Sequence, residues 1–220
     1  MLLGRSASSE DALLAHRTSS AARSATPSSS HSIPNKHFTD YDELALQRMV
    51  EAPQPPDGMI RLSGPLEHDN IVNGDGLRAV LWTQGCPNHC KECQNPETWD
   101  FNAGFLVSID EIIERLSKFR GQTGLTFCGG EPFVQPKACK EIADRVRKEL
   151  GWDVWSFSGF TYEQIQQKGG EHLEFLKSLD ALIDGPFIIS QKDLSLKYRG
   201  SKNQRLLHLE YPTGKIISIE

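Results

Sequence analysis

The sequence predicts an α/β fold whose parallel sheet is open or curled into part of a barrel. Short apolar, β-prone runs recur along the chain, and helical patterns lie between them. With 220 residues, the chain has room for one domain of ordinary size. In such a fold we expect the functional groups at the carboxyl ends of the strands.

The chain divides into three parts by composition. Residues 1–36 are rich in Ser, Ala and Arg and predict a disordered extension. The same composition partly fits a transit peptide, although Glu10 and Asp11 depart from the acid-poor pattern of such signals. Residues 37–58 predict a short helix followed by the Pro-rich linker "APQPPDG", and residues 59–220 predict the folded domain.

Four apolar runs predict buried strands of the sheet. They are "RAVLWTQ" (78–84), "LTFC" (125–128), "DVWSFS" (153–158) and "DALID" (180–184). The segments "RLLHLE" and "GKIISIE" near the end of the chain predict one or two closing strands.

Three helices are predicted between these strands. The first has an apolar stripe at helical spacing, and Ser108 with Glu111 suggests a capping box at its start. The second follows Pro136, and the third begins at Thr161 with Gln164 three residues later.

The charge and the apolar content exclude some classes of partner. The formal net charge is -5 and the pI is about 5.8, so nucleic acid and anionic membranes are not expected to bind. No run of apolar residues reaches the length of a membrane span. A protein or a small molecule is the expected partner.

Three of the five cysteines lie in one short stretch, "GCPNHCKEC". The C-x3-C-x2-C spacing lets Cys86, Cys90 and Cys93 converge on one centre, and thiolates suit iron-sulfur clusters, zinc or copper(I). Such usage indicates free thiols in a reducing compartment. A closed zinc site would need a fourth ligand. Candidates for that ligand are Cys128, Cys139, His89 and His172.

A second motif, "TFCGGEP", follows the second predicted strand. Gly129 and Gly130 allow the backbone to approach a ligand closely, and Glu131 presents a carboxylate at the strand end. By itself, a Gly-Gly-Glu sequence is also typical of a tight turn.

The two motifs together resemble those of the radical S-adenosylmethionine (SAM) superfamily. The longer stretches "DNIVNGDGLRAVLWTQGCPNHCKECQNPETWDF", "LTFCGGEPF", "WSFSGFTYEQI", "LIDGPFI" and "LSLKYRGSKNQRL" resemble the activating proteins of anaerobic ribonucleotide reductase. This resemblance extends from about residue 68 to about residue 209.

The resemblance implies a cofactor site at the strand ends. Three cysteines would hold a 4Fe-4S cluster whose fourth iron binds SAM, and Glu131 would accept a hydrogen bond from the SAM amino group. The remaining expected SAM or partner contacts are Glu92, Cys93, Gln94, Gly129, Gly130, Ser156, Ser158, Asp184, Arg199, Asn203 and Gln204. Glu92 departs from the aromatic or small residue common before the third cysteine. Local alternatives stay open for Ser156 and Ser158 as satisfied strand polar groups, and for Asp184 as a cap.

The resemblance also implies a reaction and its partners. A flavodoxin-type donor would reduce the cluster, SAM would be cleaved to methionine and a 5'-deoxyadenosyl radical, and this radical would take a hydrogen from a glycine of a large reductase subunit. The implied fold is a radical-SAM partial (β/α) barrel with a curved parallel sheet. The implied location is cytoplasmic, or a mitochondrion or plastid if residues 1–36 are a transit peptide.

Three other functions fit parts of the pattern. An activase of another glycyl radical enzyme, such as pyruvate formate-lyase, would keep the chemistry and change the partner. A small-molecule radical SAM enzyme similar to the carboxy-deazaguanine synthases would use the same two motifs. A zinc-binding module would explain the cysteines alone.

Overall fold

The structure is a computed structural model that describes the backbone of residues 39–220 and the side chains from residue 43 onward. The predicted extension at 1–36 lies outside the described residues. Helix α1 (Thr39–Glu51) comes first, in the segment where the sequence predicts a short helix. Ala45 and Met49 of this helix are buried in the main hydrophobic core, so α1 packs on the domain.

Nine strands within the described residues form one mixed sheet. The strands are β1 (Met59–Leu62), β2 (Glu67–Asn70), β3 (Arg78–Thr83), β4 (Phe105–Ser108), β5 (Gly124–Gly129), β6 (Asp153–Phe157), β7 (Ala181–Asp184), β8 (Arg205–Glu210) and β9 (Lys215–Ile219). Their order is β4-β1-β3-β5-β6-β7-β8-β9, and β2 pairs with β3 beside this path.

The centre of the sheet is parallel and its two flanks are antiparallel. Strands β3, β5, β6 and β7 run parallel, and they are the four strands that the apolar runs predict. Strands β1, β2, β4, β8 and β9 pair in antiparallel fashion. The α/β class is therefore confirmed, with antiparallel flanks that the prediction of a parallel sheet omitted.

Four further α-helices of the described residues connect strands: α2 (Ile109–Lys118), α3 (Pro136–Arg145), α4 (Tyr162–Lys168) and α5 (Gly170–Leu176). Thr161 and Gln164 form a reciprocal capping box at α4. The predicted capping box of α2 is wrong, because the Ser108 side chain makes no cap hydrogen bond. Ser108 is also the last residue of β4 and pairs there with Met59.

The hydrophobic clusters on the two faces of the sheet differ in size and composition. The main core fills the space between the helices and one face, where Phe127, Val154 and Leu182 are fully buried. A smaller cluster on the other face contains Trp155 and Ile183. This alternation along β6 and β7 follows from the two-residue period of a strand.

Within the described residues β9 is an edge strand of the sheet, and its pairing with β8 is irregular. Leu207 and His208 pair with Ile219 and Ser218, and the register then shifts so that Leu209 pairs with Ile216. Ile217 is the extra residue of this bulge. Within the described part of the chain, no helix has both the length and the apolar composition required to cross a bilayer.

Candidate functional site

The cysteine motif forms a loop that leaves the carboxyl end of β3 and returns to it. The backbone N–H of Gly85 donates to the carbonyl of Thr98 at 2.9 Å, and that of Cys86 donates to the carbonyl of Trp99 at 3.3 Å. These two bonds close the base of the loop. All three cysteines of the motif lie between its two ends.

The three thiols are close enough to interact with one another. Burial, with smaller contributions from the Glu131 carboxylate, Cys90 and Cys93, raises the pKa of the Cys86 thiol to about 12. Burial also raises the pKa of Cys90, with contributions from Cys93 and Glu131. Thiols in this state must lose their protons when they bind a metal centre.

The second motif meets the base of this loop through its backbone. The N–H of Gly130 donates to the carbonyl of Thr83, and the N–H of Glu131 donates to the carbonyl of Gly85, each at 2.8 Å. Gly129 has a φ of +97°, and a Cβ on Gly130 would lie 2.5 Å from the Gly85 carbonyl oxygen. Both positions therefore require glycine, and the two motifs form one unit at the ends of β3 and β5.

Glu131 is a buried carboxylate with four hydrogen-bond donors. Its Oε1 accepts from the Phe133 N–H at 3.2 Å and from the Ser158 hydroxyl at 3.0 Å. Its Oε2 accepts from the Gly159 N–H at 2.7 Å and from the Asn88 amide at 3.3 Å. Burial raises the pKa of Glu131 to about 7 despite these bonds.

Two residues of the site were not predicted from the sequence. Asn88 lies between the first two cysteines, and Gly159 follows β6, more than seventy residues later. Both donate to the same carboxylate oxygen of Glu131. In the sequence, each resembles an ordinary loop residue. The two come close together only because the sheet places the ends of β3, β5 and β6 side by side.

The two predicted serines of β6 differ in position. Ser158 is in the site, since its hydroxyl donates to Glu131. Ser156 is fully buried on the face of the sheet that the helices cover, where it pairs with Leu182 and Phe127. Its hydroxyl donates to the Phe157 carbonyl at 3.0 Å, which is the local satisfaction that the sequence left open.

Asp184 lies at the end of β7 and is held from two sides. Its carboxylate accepts from the Tyr162 N–H at 2.8 Å, at the start of α4. It also forms a two-point ion pair with Arg205, with Nε and Oδ1 2.9 Å apart, and Arg205 reaches Glu163 as well. This arrangement anchors α4 and β8 to the end of β7.

The polar loop at 197–205 is fastened to the segment that follows β7. Gln204 donates to the Gly185 carbonyl and accepts from the Gly200 N–H, at 3.0 and 2.8 Å. Asn203 donates to the Pro186 carbonyl at 2.7 Å. Arg199 donates to the backbone carbonyl of Glu220 at 2.8 Å. These hydrogen bonds fix the conformation of the loop.

In the cysteine motif, the predicted site residues Glu92 and Gln94 are exposed.

The other candidate metal ligands have separate surroundings. Cys139 is fully buried and its thiol donates to the Pro132 carbonyl at 3.4 Å. Burial raises the pKa of Cys128 to about 12, and its charged neighbour is Glu67. His89 stacks on Trp99 with ring centroids 4.7 Å apart. Among the described residues, no three Cys, His, Asp or Glu side chains converge as they would on a single metal ion.

The donor set of the loop fits an iron-sulfur cluster. In a cluster each thiolate binds its own iron, so three sulfurs of one loop need not converge on one atom. The backbone N–H of Asn95 points to the Cys93 sulfur at 3.4 Å, and such donors stabilise thiolates bound to metal. The residues present therefore suit a cluster with three cysteine ligands.

Comparisons with known proteins agree on the nature of this segment. The sequence model of the family described as "4Fe-4S single cluster domain" matches residues 72–207. The chain is 35% identical over 142 residues to the anaerobic ribonucleoside-triphosphate reductase-activating protein of Haemophilus influenzae, a match that covers 61% of this chain and 90% of that protein.

Two more relatives have the same name. The protein of Escherichia coli K12 is 34% identical over 148 residues, which cover 64% of this chain and 94% of the relative. The protein of Enterobacteria phage T4 is 37% identical over 150 residues, which cover 62% of this chain and 87% of the relative. The matches thus include nearly the whole length of each relative.

Proposed function

The chain belongs to the family of the anaerobic ribonucleoside-triphosphate reductase-activating proteins, and from this premise we propose that it is a radical SAM activase. In this proposal it holds a 4Fe-4S cluster, cleaves SAM reductively and generates a glycyl radical on an anaerobic ribonucleoside-triphosphate reductase. The names of the relatives support the partner, and the family model supports the cluster.

One observation carries the proposal. The loop with the three cysteines and the Gly-Gly-Glu segment are joined by two backbone hydrogen bonds, from Gly130 to Thr83 and from Glu131 to Gly85. The three cysteines that we propose as cluster ligands and a buried carboxylate are thereby held close together at the carboxyl ends of parallel strands. Ligands of α/β sheets bind at these strand ends.

We assign the cluster to Cys86, Cys90 and Cys93, which leaves one iron open for the amino and carboxylate groups of SAM. The Glu131 carboxylate would accept a hydrogen bond from the SAM amino group, and the Ser158 hydroxyl orients that carboxylate. The backbone around Glu92, Cys93, Gln94, Gly129 and Gly130 would border the cofactor. The side chains of Ser156 and Asp184 are hydrogen-bonded to neighbouring backbone groups. They would therefore support the site by holding the strands in place.

When bound and reduced, the cluster would supply the electron that cleaves SAM to methionine and a 5'-deoxyadenosyl radical, which takes a hydrogen atom from a glycine of the partner. The residues of this chain bind and orient the cofactor and exclude water from it. No side chain has to transfer a proton.

We propose that the sheet curls into a partial barrel whose open side admits the glycine-bearing loop of the reductase. The four parallel strands with antiparallel flanks support an incomplete barrel. The loop with Arg199, Asn203 and Gln204 would border this opening, and a flavodoxin-type protein would donate the electron. Nucleic acid has no part in this reaction.

We propose a reducing, oxygen-poor compartment for the activity. Every cysteine of the described residues is free, which supports such an environment. The cytoplasm is the proposed location, and a mitochondrion or plastid replaces it if residues 1–36 are a transit peptide.

Anaerobic reconstitution with iron and sulfide tests the proposal. We expect about four irons and four sulfides per chain, and an electron paramagnetic resonance (EPR) signal of the dithionite-reduced protein that changes when SAM is added. Cys90→Ala should lose the cluster, and Cys128→Ala, a cysteine outside the loop, should keep it. One tightly bound zinc ion and no response to SAM would contradict the proposal.

The partner is tested separately by the radical itself. Reconstituted protein, SAM and reductant are mixed with purified anaerobic ribonucleoside-triphosphate reductase, and the glycyl radical is measured by EPR. Pyruvate formate-lyase serves as the comparison partner. A radical on the second enzyme alone would preserve the chemistry and refute the assigned partner.

A further inference from the structure

We propose that Asn88 is a positioning residue that joins the first cluster ligand to the SAM-binding carboxylate. This inference rests on the proposed cluster and deepens it by naming the residue that couples the two halves of the site. In this proposal the Asn88 side chain contributes both to the reduction potential of the cluster and to the affinity for SAM.

The contacts of a single amide group support this role. The Asn88 Nδ2 lies 3.3 Å from Oε2 of Glu131 and 3.9 Å from the Cys86 sulfur. An amide NH2 carries two hydrogens, so one group can donate in both directions. The Asn88 side chain thus contacts both the sulfur of one motif and the carboxylate of the other.

The residue Gly159, just after β6, packs closely against this amide. A Cβ atom on Gly159 would lie 2.3 Å from the Asn88 Nδ2 and 2.8 Å from its Cγ. The φ of Gly159 is outside the left-handed region, so its backbone tolerates alanine. The absence of a side chain at this position therefore serves the fit of Asn88 rather than the local backbone.

The position of the amide has a chemical consequence. Hydrogen bonds to the cysteine sulfurs of a cluster make its reduction potential less negative, because they stabilise the added negative charge. The same amide holds one oxygen of Glu131, the carboxylate proposed to receive the SAM amino group. Loss of the amide should therefore change the potential and the SAM affinity together.

Alanine substitutions on either side of the contact test this coupling in the full-length reconstituted protein. Asn88→Ala removes the amide, and Gly159→Ala pushes it away. Asn88→Asp keeps the shape of the side chain but has no N–H to donate. Asn102→Ala and Gly64→Ala are the matched controls. Among the described residues, the Asn102 side chain has no hydrogen-bond partner and no heavy atom lies within 4 Å of the Cβ position of Gly64.

The measurements are iron content, an anaerobic redox titration followed by EPR, and SAM binding followed by the change of the EPR signal. We expect full iron content in all variants. At a fixed potential, the reduced-to-oxidised ratio should fall about tenfold in the Asn88 and Gly159 variants, which corresponds to 59 mV for one electron. SAM should bind about tenfold more weakly, and the double variant should be no worse than either single variant.

Two failures have different meanings. If the wild-type protein binds no cluster, the proposed function itself fails. If the wild type binds a cluster and Asn88→Asp leaves the potential and the SAM affinity unchanged, the cluster stands and the role of Asn88 is refuted. Additive effects of Asn88→Ala and Gly159→Ala would also refute the shared contact. A merely structural asparagine would lower stability without moving the potential.

Discussion

The guanidinium of Arg78 lies 5.0 Å from the centre of the Trp155 ring, on the face of the sheet opposite the helices. Arg78 is fully buried, and it donates to the Leu125 carbonyl at 2.8 Å and to the Thr126 hydroxyl at 2.7 Å. It also pairs with Asp153 at 2.7 Å. One side chain therefore fastens β3, β5 and β6 together at their amino ends.

Arg78→Met should lower the stability of the domain strongly. The substitution leaves the Leu125 carbonyl and the Thr126 hydroxyl with fewer partners, and we expect a loss of roughly 2–4 kcal/mol in the free energy of unfolding. Urea unfolding of the apoprotein under reducing conditions measures it. Arg115→Met, which removes an exposed pair with Glu111 on α2, should cost less than about 1 kcal/mol. Equal losses for the two variants would argue against this role.

Gly130→Ala should prevent the cysteine loop from seating on the sheet. The new Cβ would lie 2.5 Å from the Gly85 carbonyl oxygen, and backbone atoms cannot move aside cheaply there. We expect at least a tenfold loss of bound iron after reconstitution. Gly64→Ala is the control, because its backbone φ is not positive and no heavy atom of the described residues lies within 4 Å of its Cβ position. Normal iron content in Gly130→Ala would contradict the prediction.

Asp184→Asn should weaken the fold while the cluster stays bound. The amide loses the charge that pairs with Arg205 and weakens the bond to the Tyr162 N–H. Because Asp184 is buried, we expect a loss of roughly 2–4 kcal/mol in unfolding free energy. Thermal unfolding and iron analysis check the two parts. Unchanged stability together with a loss of SAM binding would mean that Asp184 contacts the cofactor directly.

The stability of the domain should fall in acid partly because of His172. Burial lowers the pKa of this histidine below its usual 6.5, and its buried Nε2 has no hydrogen-bond partner among the described residues. The unfolded chain therefore binds a proton that the folded chain resists, so the contribution of His172 is complete above pH 6.5 and declines as the pH falls through its folded pKa.

His172→Gln should remove that part of the pH dependence. Urea unfolding of the apoprotein between pH 5 and pH 8 gives the two curves, and we expect the wild type to lose more stability than the variant below pH 6.5. Curves that stay parallel across this range would show that His172 does not contribute.

The central strands were predictable because each is an apolar run with helical segments on both sides. Strand β2, "EHDN", has no such pattern, and it is a strand because β3 offers it a pairing edge. Strands β1 and β4, "MIRL" and "FLVS", are apolar but only four residues long, and they pair with each other along their whole length. Pairing between distant segments determines these strands, and local composition does not reveal it.

The site shows the same division. The cysteine spacing and the Gly-Gly-Glu sequence indicate chemistry by themselves, so they could be read from the chain. Asn88 and Gly159 could not, since their roles depend on a contact across the ends of β3, β5 and β6. Ser156 and Ser158 are two residues apart, which is the spacing of side chains on one face of a strand. The strand β6 ends at Phe157, however, and only Ser158 of the two donates to Glu131.

The unpaired Ile217 of β9 affects how copies of the chain meet. In the part of the chain that the structure describes, β9 is an edge strand, and Ile217 and Ile219 are exposed on it. A regular apolar edge of this kind is a template on which a second copy can add its own strand. An extra residue of this kind increases the local twist and interrupts the row of hydrogen-bonding groups. We therefore expect the bulge at Ile217 to disfavour the pairing of two copies edge to edge.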